Sequence, residues 1–174
     1  PASNATAVVD PAEVAPVLTA CKAKNWRLTH ILNTHHHGDH VGGNLELKAK
    51  TGCRIIGPAY DRERIPGIDV TVDEASGADF GSRHAQVFFV PGHTRGHIAY
   101  WFADDHALFC GDTLFSLGCG RLFEGTPAEM WSSLLKLRAP WLCQGCHAGS
   151  THTTPAFSGR SLAPGPGGGA VTPS

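Results

Sequence analysis

NTHHHGDHVGG, residues 33–43, contains four histidines and one aspartate within six consecutive positions. In an extended chain, side chains two positions apart point to the same side, so the imidazoles of His35 and His37 can converge on one metal ion. His36 lies between them and is expected to point away. The spacing therefore predicts a metal-binding segment and not a surface patch that happens to be rich in histidine.

The residues around this segment place it at the end of a strand. LTHILNT (28–34) is an apolar run typical of a strand. Beyond it, Asp39 and His40 can serve a second metal beside the first. Two more candidate ligands, His93 in PGHTRGH and Asp112 in CGDTLF, also follow apolar strands. Loops at strand ends are where α/β scaffolds place their chemistry.

The rest of the chain alternates between strand and helix patterns. Asp10 has the features of a helix cap, with Pro16 delaying the start of that helix or kinking it. A second helix is predicted over 44–51, and a third from the capping box Thr126–Glu129 to Ala139-Pro140. Further strands are predicted at residues 6–10, 53–57, 69–72, 85–90, 98–103 and 107–111, the last two as a hairpin.

Composition limits the class of protein. With 174 residues and a formal net charge of −1, the chain suits one domain without the basic excess that attracts nucleic acids or anionic membranes. No apolar run approaches the roughly 18 residues of a membrane span, and no signal-peptide pattern is present. Six dispersed cysteines favour reduced thiols over a disulfide framework. We therefore expect a cytoplasmic monomer that binds neither nucleic acid nor membrane.

The motifs resemble those of a known family. THHHGDH (34–40) matches the T-H-x-H-x-D-H signature of the metallo-β-lactamase superfamily, and GHTRGH (92–97) and GDTLF (111–115) match its later metal motifs. LGCGRLFEGT (117–126) is similar to hydroxyacylglutathione hydrolases, the glyoxalase II family. The resemblance implies an α/β (α+β) fold, the αββα sandwich. We expect it to be incomplete, because the first two strands of the family would precede residue 1.

The resemblance also implies a site with two metal ions. The matching ligands are His35, His37 and His93 for the first metal, Asp39 and His40 for the second, and Asp112 as a bridge between them. His97 would support the site without binding metal, and Arg121 and Phe123 would contact the glutathione part of a substrate. Zn²⁺ is the usual metal of the family, and iron or manganese is also possible because these mixed ligands do not choose among them.

The activity implied is hydrolysis of S-(2-hydroxyacyl)glutathione thioesters, such as S-lactoylglutathione in methylglyoxal detoxification. Two metals about 3.5–4 Å apart lower the pKa of a bridging water, so that hydroxide forms near neutral pH. Asp39 and Asp112 would be the catalytic residues holding that water between the metals. Hydroxide would attack the thioester carbonyl, giving lactate and glutathione.

Two alternatives remain. A related persulfide dioxygenase uses one iron on two histidines and an aspartate, a set that His35, His93 and Asp112 can supply. The second alternative is a catalytically inactive fragment. LGCGRLFEGT and the full H-x-H-x-D-H string favour the hydrolase over the dioxygenase.

The family pattern stops at the end of the last predicted helix. We predict a metallo-β-lactamase-like domain over 1–139 and an aberrant, disordered tail over 140–174, whose composition buries too little apolar surface to fold. An abrupt change of this kind is typical of a frameshift. We expect this sequence to lack the family's last metal-binding histidine and its helical glutathione-binding domain, so His147 or His152 would have to replace that histidine. CQGCH (143–147) alternatively has the spacing of a c-type haem site or, with His152, of a zinc site.

Overall fold

Short apolar runs separated by glycine- and proline-containing turns form the strands of this protein. The computed structural model describes residues 5–142, 147–148 and 157–158, with side chains over 5–138. The strands are β1 (Thr6–Val9), β2 (His30–Leu32), β3 (Arg54–Pro58), β4 (Val70–Val72), β5 (Ala78–Phe80), β6 (Arg83–Phe89), β7 (Ile98–Phe102), β8 (Ala107–Phe109), β9 (His147–Ala148) and β10 (Phe157–Ser158).

These strands form two sheets of different character. The first has the order β10-β1-β2-β3-β4, in which β1 to β4 are parallel and β10 is antiparallel to β1. The second has the order β5-β6-β7-β8-β9, an antiparallel meander that β9 joins in parallel. Parallel neighbours in the first sheet require crossover connections, which the helices provide.

The helices cover the outer faces of both sheets. They are α1 (Val14–Lys24), α2 (Gly38–Val41), α3 (Asn44–Thr51) and α4 (Pro127–Leu142), with 3₁₀ helices at Ala59–Arg64, Ala103–Asp105 and Gly111–Thr113. Cys21 of α1 and Leu47 of α3 pack with Ile31 against the first sheet. Leu137 of α4 packs with Leu108 against the second.

A third cluster lies between the sheets and completes the layers. Strand alternation explains it, because Ala7 and Val9 face the other sheet while Val8 between them faces the helices. Helix, sheet, sheet and helix follow one another, so the predicted αββα sandwich is confirmed. Within the part of the chain that is described, no helix has the length and apolar character needed to cross a bilayer.

The predicted cap of the first helix at Asp10 is wrong, whereas the predicted late start is confirmed. α1 begins at Val14, and Asp10 adopts a left-handed backbone conformation with φ of 48° outside the helix. Its carboxylate accepts hydrogen bonds from the amide and hydroxyl of Thr34, so a partner distant in sequence replaces the local cap. Pro16 lies in the first turn, where a missing amide costs little, and the helix starts late.

The helix predicted from the capping box, α4, begins as predicted and ends later than predicted. Thr126 and Glu129 form the predicted capping box, with the Glu129 carboxylate accepting from the Thr126 amide at 2.7 Å. The predicted end at Ala139-Pro140 is wrong, because α4 continues to Leu142. Proline removes one amide donor but keeps a helical φ, so it does not have to stop the last turn.

Sequence patterns missed three short strands. They are β5, β9 and β10, each of two or three residues. β9 and β10 lie in the predicted tail, and most of that tail lies outside the described residues, so the division at residue 139 stays a prediction. The cysteines with described side chains, Cys21, Cys53, Cys110 and Cys119, are free thiols, as composition favours.

Tyr100 offers a test of how the two sheets are joined. It is fully buried in β7, and its hydroxyl donates to the backbone carbonyl of Asn33 at 2.8 Å. We expect Tyr100→Phe to lower the free energy of unfolding by about 1–3 kcal/mol, since the buried carbonyl loses its partner. Urea denaturation measures the change. The control Tyr60→Phe alters a side chain that is 61% exposed and should stay within about 0.5 kcal/mol; similar losses in both variants would contradict the assignment.

Candidate metal centre

The histidine segment, residues 33–40, lies where the ends of the two sheets meet. The amide of Ile98, at the start of β7, donates to the carbonyl of Thr34 at 2.9 Å, so the second sheet is attached directly to this segment. His93 follows β6, and Asp112 lies in the 3₁₀ helix after β8. Strand ends of both sheets therefore bring candidate ligands to one edge of the sandwich.

His35 is held in one protonation pattern by its neighbours. The Thr34 hydroxyl donates to Asp10 Oδ2 at 2.6 Å, so its oxygen accepts from His35 Nδ1 at 3.0 Å. The other ring nitrogen, Nε2, then carries a lone pair, and it is buried without a hydrogen-bond partner. A neutral imidazole with a free lone pair, fixed through its opposite nitrogen, is the form in which histidine binds metals.

His37 and His93 complete a group around this nitrogen. One ligand nitrogen from each of His35, His37 and His93 lies within 4.8 Å of the others. His93 Nδ1 donates to the carbonyl of Arg121 at 2.6 Å, which leaves its Nε2 facing the group, 2.9 Å from His37 Nδ1. Three convergent imidazoles suit a divalent metal. The described residues therefore fit the ion that the histidine spacing implies.

A second group adjoins the first. Ligand atoms of Asp10, His35 and His40 also lie within 4.8 Å of one another. His40 Nδ1 is 3.1 Å from Asp10 Oδ2, as an ion pair and not an aligned hydrogen bond, and its Nε2 is 3.4 Å from Asp112 Oδ1. The other oxygen of Asp112 is 3.2 Å from His93 Nε2. The Asp112 carboxylate thus spans from one group to the other.

The charges at the second group are coupled. Burial by itself would lower the pKa of His40, but the carboxylates of Asp10 and Asp112 outweigh it and raise the pKa to about 10. Burial opposes ionisation of Asp112, yet its contact with His40 lowers the pKa of that carboxyl. His40 is therefore a cation between two carboxylates in the metal-free chain and has to release a proton before it can bind a metal.

His97 lies beneath the first group and contacts it by stacking. Its ring centroid is 4.6 Å from that of His35, with 18° between the ring planes. Its Nε2 accepts from the amide of Asp112 at 3.1 Å, and its Nδ1 lies 3.4 Å from Thr113 Oγ1. Because both nitrogens are occupied, His97 shapes the loop that carries Asp112. Gly111 in that loop has a φ of 47°, and any side chain there would collide with His97.

Three predicted site residues lie on the solvent side of the groups. Asp39 is 78% exposed, with Oδ2 3.8 Å from His40 Nε2. Phe123 is 57% exposed, and its ring meets those of His37 and His93 edge-on at 5.3 Å between centroids. The guanidinium of Arg121 stands 5.2 Å from the Phe123 ring.

Sequence reasoning missed two carboxylates that hold the histidine segment. Asp10 was expected to cap a helix; its one available signal was its place at the end of a strand, as for Asp112. Asp61 has a fully buried side chain and receives His36 Nδ1 at 3.1 Å. His36 does point away from the group formed by His35, His37 and His93, as alternation predicts, and its ring contacts Asp61.

The residues predicted to act in the tail have no described side chains. His152 lies outside the described residues, and of His147 only the backbone is described. The CQGCH motif (143–147) has no described side chains either. The replacement ligand, the haem alternative and the zinc alternative all stay predictions.

Comparison with known sequences identifies close relatives of this chain. A family model described as the metallo-beta-lactamase superfamily matches residues 3–143. The hydroxyacylglutathione hydrolase of Methylococcus capsulatus is 65% identical over 139 residues, which cover 80% of this chain and 54% of that protein. The chain thus spans about half the length of the curated relatives it matches.

Solved structures share the fold. The BLEG-1 B3 metallo-beta-lactamase superposes with a TM-score of 0.75 at 24% identity, over 90% of this chain and 84% of that one. ETHE1 from Myxococcus xanthus superposes with a TM-score of 0.71 at 25% identity, over 91% of this chain and 71% of that one.

The buried imidazoles predict how stability depends on pH. Burial lowers the pKa of His97 to about 3 and also lowers that of His35 from 6.5. Below pH 6.5 the unfolded chain binds protons that the native chain does not, so stability is present above that pH and lost as the pH falls toward 3. We expect a loss of up to about 1.4 kcal/mol per pH unit for each imidazole, measured by urea unfolding of chelator-treated protein.

His40 has the opposite sign and sets the alkaline limit. Its raised pKa makes its contribution fully present below 6.5 and lost as the pH rises through about 10. The metal-free chain should therefore be most stable near neutral pH. His97→Asn should make the acid limb less steep, and a stability that stays flat between about pH 7 and 4.5 would contradict the assignment of buried neutral imidazoles.

Proposed function

The chain belongs to the metallo-beta-lactamase superfamily, and from that premise we propose that it hydrolyses glutathione thioesters of 2-hydroxy acids with bound divalent metal. The observation that carries the proposal is the buried, partnerless Nε2 of His35 beside the nitrogens of His37 and His93. Its substrate class is supported by relatives at 50–65% identity that are named hydroxyacylglutathione hydrolases.

The first metal would be held by His35, His37 and His93. The support is the fixed protonation of two of them, through Thr34 and through the Arg121 carbonyl, which turns a lone pair toward the same point. Zinc is the expected ion because it takes imidazole ligands in a four-coordinate site with an open position. Iron and manganese are the alternatives.

The second metal would be held by Asp39 and His40, with Asp112 bridging to the first. The span of Asp112 between His93 and His40, at 3.2 and 3.4 Å, supports the bridge. Asp10 already contacts the other nitrogen of His40 at 3.1 Å. A carboxylate on the far nitrogen orients an imidazole ligand and raises its basicity.

A divalent metal pair at these ligands would supply a Lewis acid and a water of lowered pKa. In the proposed reaction, water adds to the thioester carbonyl carbon, the C–S bond breaks, and the products are a 2-hydroxy acid and glutathione. His97 holds the amide of Asp112, and so keeps that carboxylate in place between His40 and His93.

The solvent side of the site would receive the substrate. Arg121 has an exposed guanidinium that can bind a carboxylate of glutathione. The Phe123 ring covers one side of His37 and His93, and the Arg121 guanidinium packs against the same ring. A small-molecule substrate of this kind requires neither a nucleic acid nor a membrane surface, and we propose a cytoplasmic monomer.

The rival activity is a persulfide dioxygenase with one iron on His35, His93 and Asp112. The 3.2 Å between His93 Nε2 and Asp112 Oδ2 favours that pair as joint ligands. The hydrolase remains the better supported, because relatives named hydroxyacylglutathione hydrolases match this chain at 50–65% identity.

Metal content measured together with activity tests the proposal. The full chain, loaded with zinc or with iron, is analysed for metal per chain and assayed on S-lactoylglutathione and on glutathione persulfide. We expect bound metal and thioester hydrolysis that a chelator abolishes. Oxygen consumption with the persulfide and no thioester cleavage would favour the dioxygenase, and bound metal without either activity would identify an inactive chain.

The bridging carboxylate gives a test of the ligand assignment. We expect Asp112→Ala to lower thioesterase activity more than the roughly 10–100-fold typical of residues that only support metal ligands. His36→Ala should cost less, because His36 faces Asp61 and not the metal group. Activity and metal content are measured on both variants, and equal losses would show that the assignment of Asp112 is wrong.

A further inference from the structure

A network of charged side chains, His36, Asp61, Arg64 and Glu124, surrounds the histidine that the metal does not use. We call it the His36 network. His36 Nδ1 is 3.1 Å from Asp61 Oδ2, and its Nε2 is 3.1 Å from Arg64 Nη1. A carboxylate only accepts and a guanidinium only donates, so the two contacts select the tautomer with its proton on Nδ1. The orientation of His36 is therefore fixed at both ring nitrogens.

Asp61 is the centre of the network. Its side chain has no exposed surface, and besides His36 it accepts from Arg64 Nε at 3.1 Å and Nη2 at 2.5 Å. A side chain added at Gly96 would run into this carboxylate, so the chain between His93 and His97 passes directly against it. One buried carboxylate thus contacts both the histidine segment and the loop of the next candidate ligand.

Arg64 extends the network to a third segment. Its Nη1 donates to Glu124 Oε1 at 2.5 Å, and the other oxygen of Glu124 accepts from the amide of Arg95 at 2.8 Å. The Arg64 guanidinium lowers the pKa of Glu124 to about 2, so this carboxylate is ionised at any working pH. The amide of Phe123 next to it donates to the carbonyl of His93 at 3.1 Å.

The network is more than a surface ion pair. Partly exposed pairs such as Arg64 with Glu124 contribute about 0–1 kcal/mol. A carboxylate with no exposed surface is costly to desolvate, and here it is satisfied by His36 and by two nitrogens of Arg64. Holding the middle side chain at both ring nitrogens restrains the backbone that carries both flanking side chains. The flanking side chains of His36 are His35 and His37.

We propose that Asp61 is a positioning residue for the metal centre, which acts by holding His36 and the Gly96 backbone and so orients His35, His37 and His93 toward one point. The inference rests on the metal centre proposed above. It predicts that residues of the His36 network, which touch neither metal nor substrate, determine metal affinity. Nothing in the D-R-E-R pattern around Asp61 distinguishes it from a solvated charged stretch.

A double-mutant cycle on zinc affinity tests this inference. The full chain and the variants His36→Ala, Asp61→Asn and the pair together are titrated with zinc against a chromophoric chelator. Each single variant should weaken binding about 10–100-fold, the range for partners that orient metal ligands. Because the contact between His36 and Asp61 is lost in either single variant, the pair should be no weaker than the worse single variant.

Two further variants separate positioning from general stability. Asp69→Asn removes a carboxylate that binds Lys48 and the amide of Ile55, near the beginning of β3, whereas Asp61 follows the end of that strand. It should lower the melting temperature of the metal-free chain and leave zinc affinity within about twofold. His36→Asn keeps a donor where Nδ1 stands, and should recover most of the affinity lost in His36→Ala.

The zinc affinities and melting temperatures of these variants decide whether Asp61 positions the metal ligands. Zinc affinity unchanged in His36→Ala and Asp61→Asn, with melting temperatures reduced as in Asp69→Asn, would overturn it, as would additive losses in the pair. If Asp61→Asn does not fold, the comparison of His36→Ala with His36→Asn tests the proposal instead. Equal zinc affinities of these two variants would then overturn the proposal. Failure of the unaltered chain to bind zinc would count against the proposed metal centre itself, and the titration of that chain is scored separately.

Discussion

The carboxylate of Asp10 is the constraint on which the site depends. It accepts from both the amide and the hydroxyl of Thr34, at 2.7 and 2.6 Å, and it lies 3.1 Å from His40 Nδ1. Through the Thr34 hydroxyl it also determines which nitrogen of His35 carries the proton. The ends of β1 and β2 are thereby joined at one carboxylate. His35 belongs to both groups of candidate ligands, so fixing its ring fixes the point around which the other ligands lie. A left-handed backbone at Asp10 is retained because these contacts offset its strain.

The sequence predicts the layers and most of the site because both follow from strand periodicity. In β1, Val8 faces the helices while Ala7 and Val9 face the other sheet, an alternation that follows from the geometry of a strand once the apolar run is assigned to one. Parallel neighbours end at the same edge of a sheet, and so do β6 and β8, which are both antiparallel to β7 between them. Ligand-type residues placed just beyond β2, β6 and β8 therefore meet in space. The spacing of two and the strand-end rule predicted that His35 and His37 converge and that His93 lies at a strand end, and the structure brings all three together. Their detailed roles needed the family resemblance as well.

The parts that could not be predicted depend on contacts distant in sequence. Asp10 sits in a local helix-start pattern, and its partner Thr34 is 24 residues away. Asp61 lies among charged residues that suggest a solvent-exposed face, although its partner His36 is 25 residues distant and the carboxylate is fully buried. Local patterns describe the preferences of a short segment, and a buried carboxylate takes whichever donors the assembled fold brings to it. The missing signal is therefore tertiary.

The arrangement of charges explains why so many residues support so few ligands. The rings of four other histidines lie within 4.1–5.0 Å of the His35 ring, and burial lowers the pKa of His35, so its protonated form is disfavoured. The lone pairs of His35 and His93 that face this group are each fixed through the opposite ring nitrogen, by the Thr34 hydroxyl and by the Arg121 carbonyl. Because these two contacts come from different segments of the chain, metal affinity is linked to the rigidity of the surrounding fold.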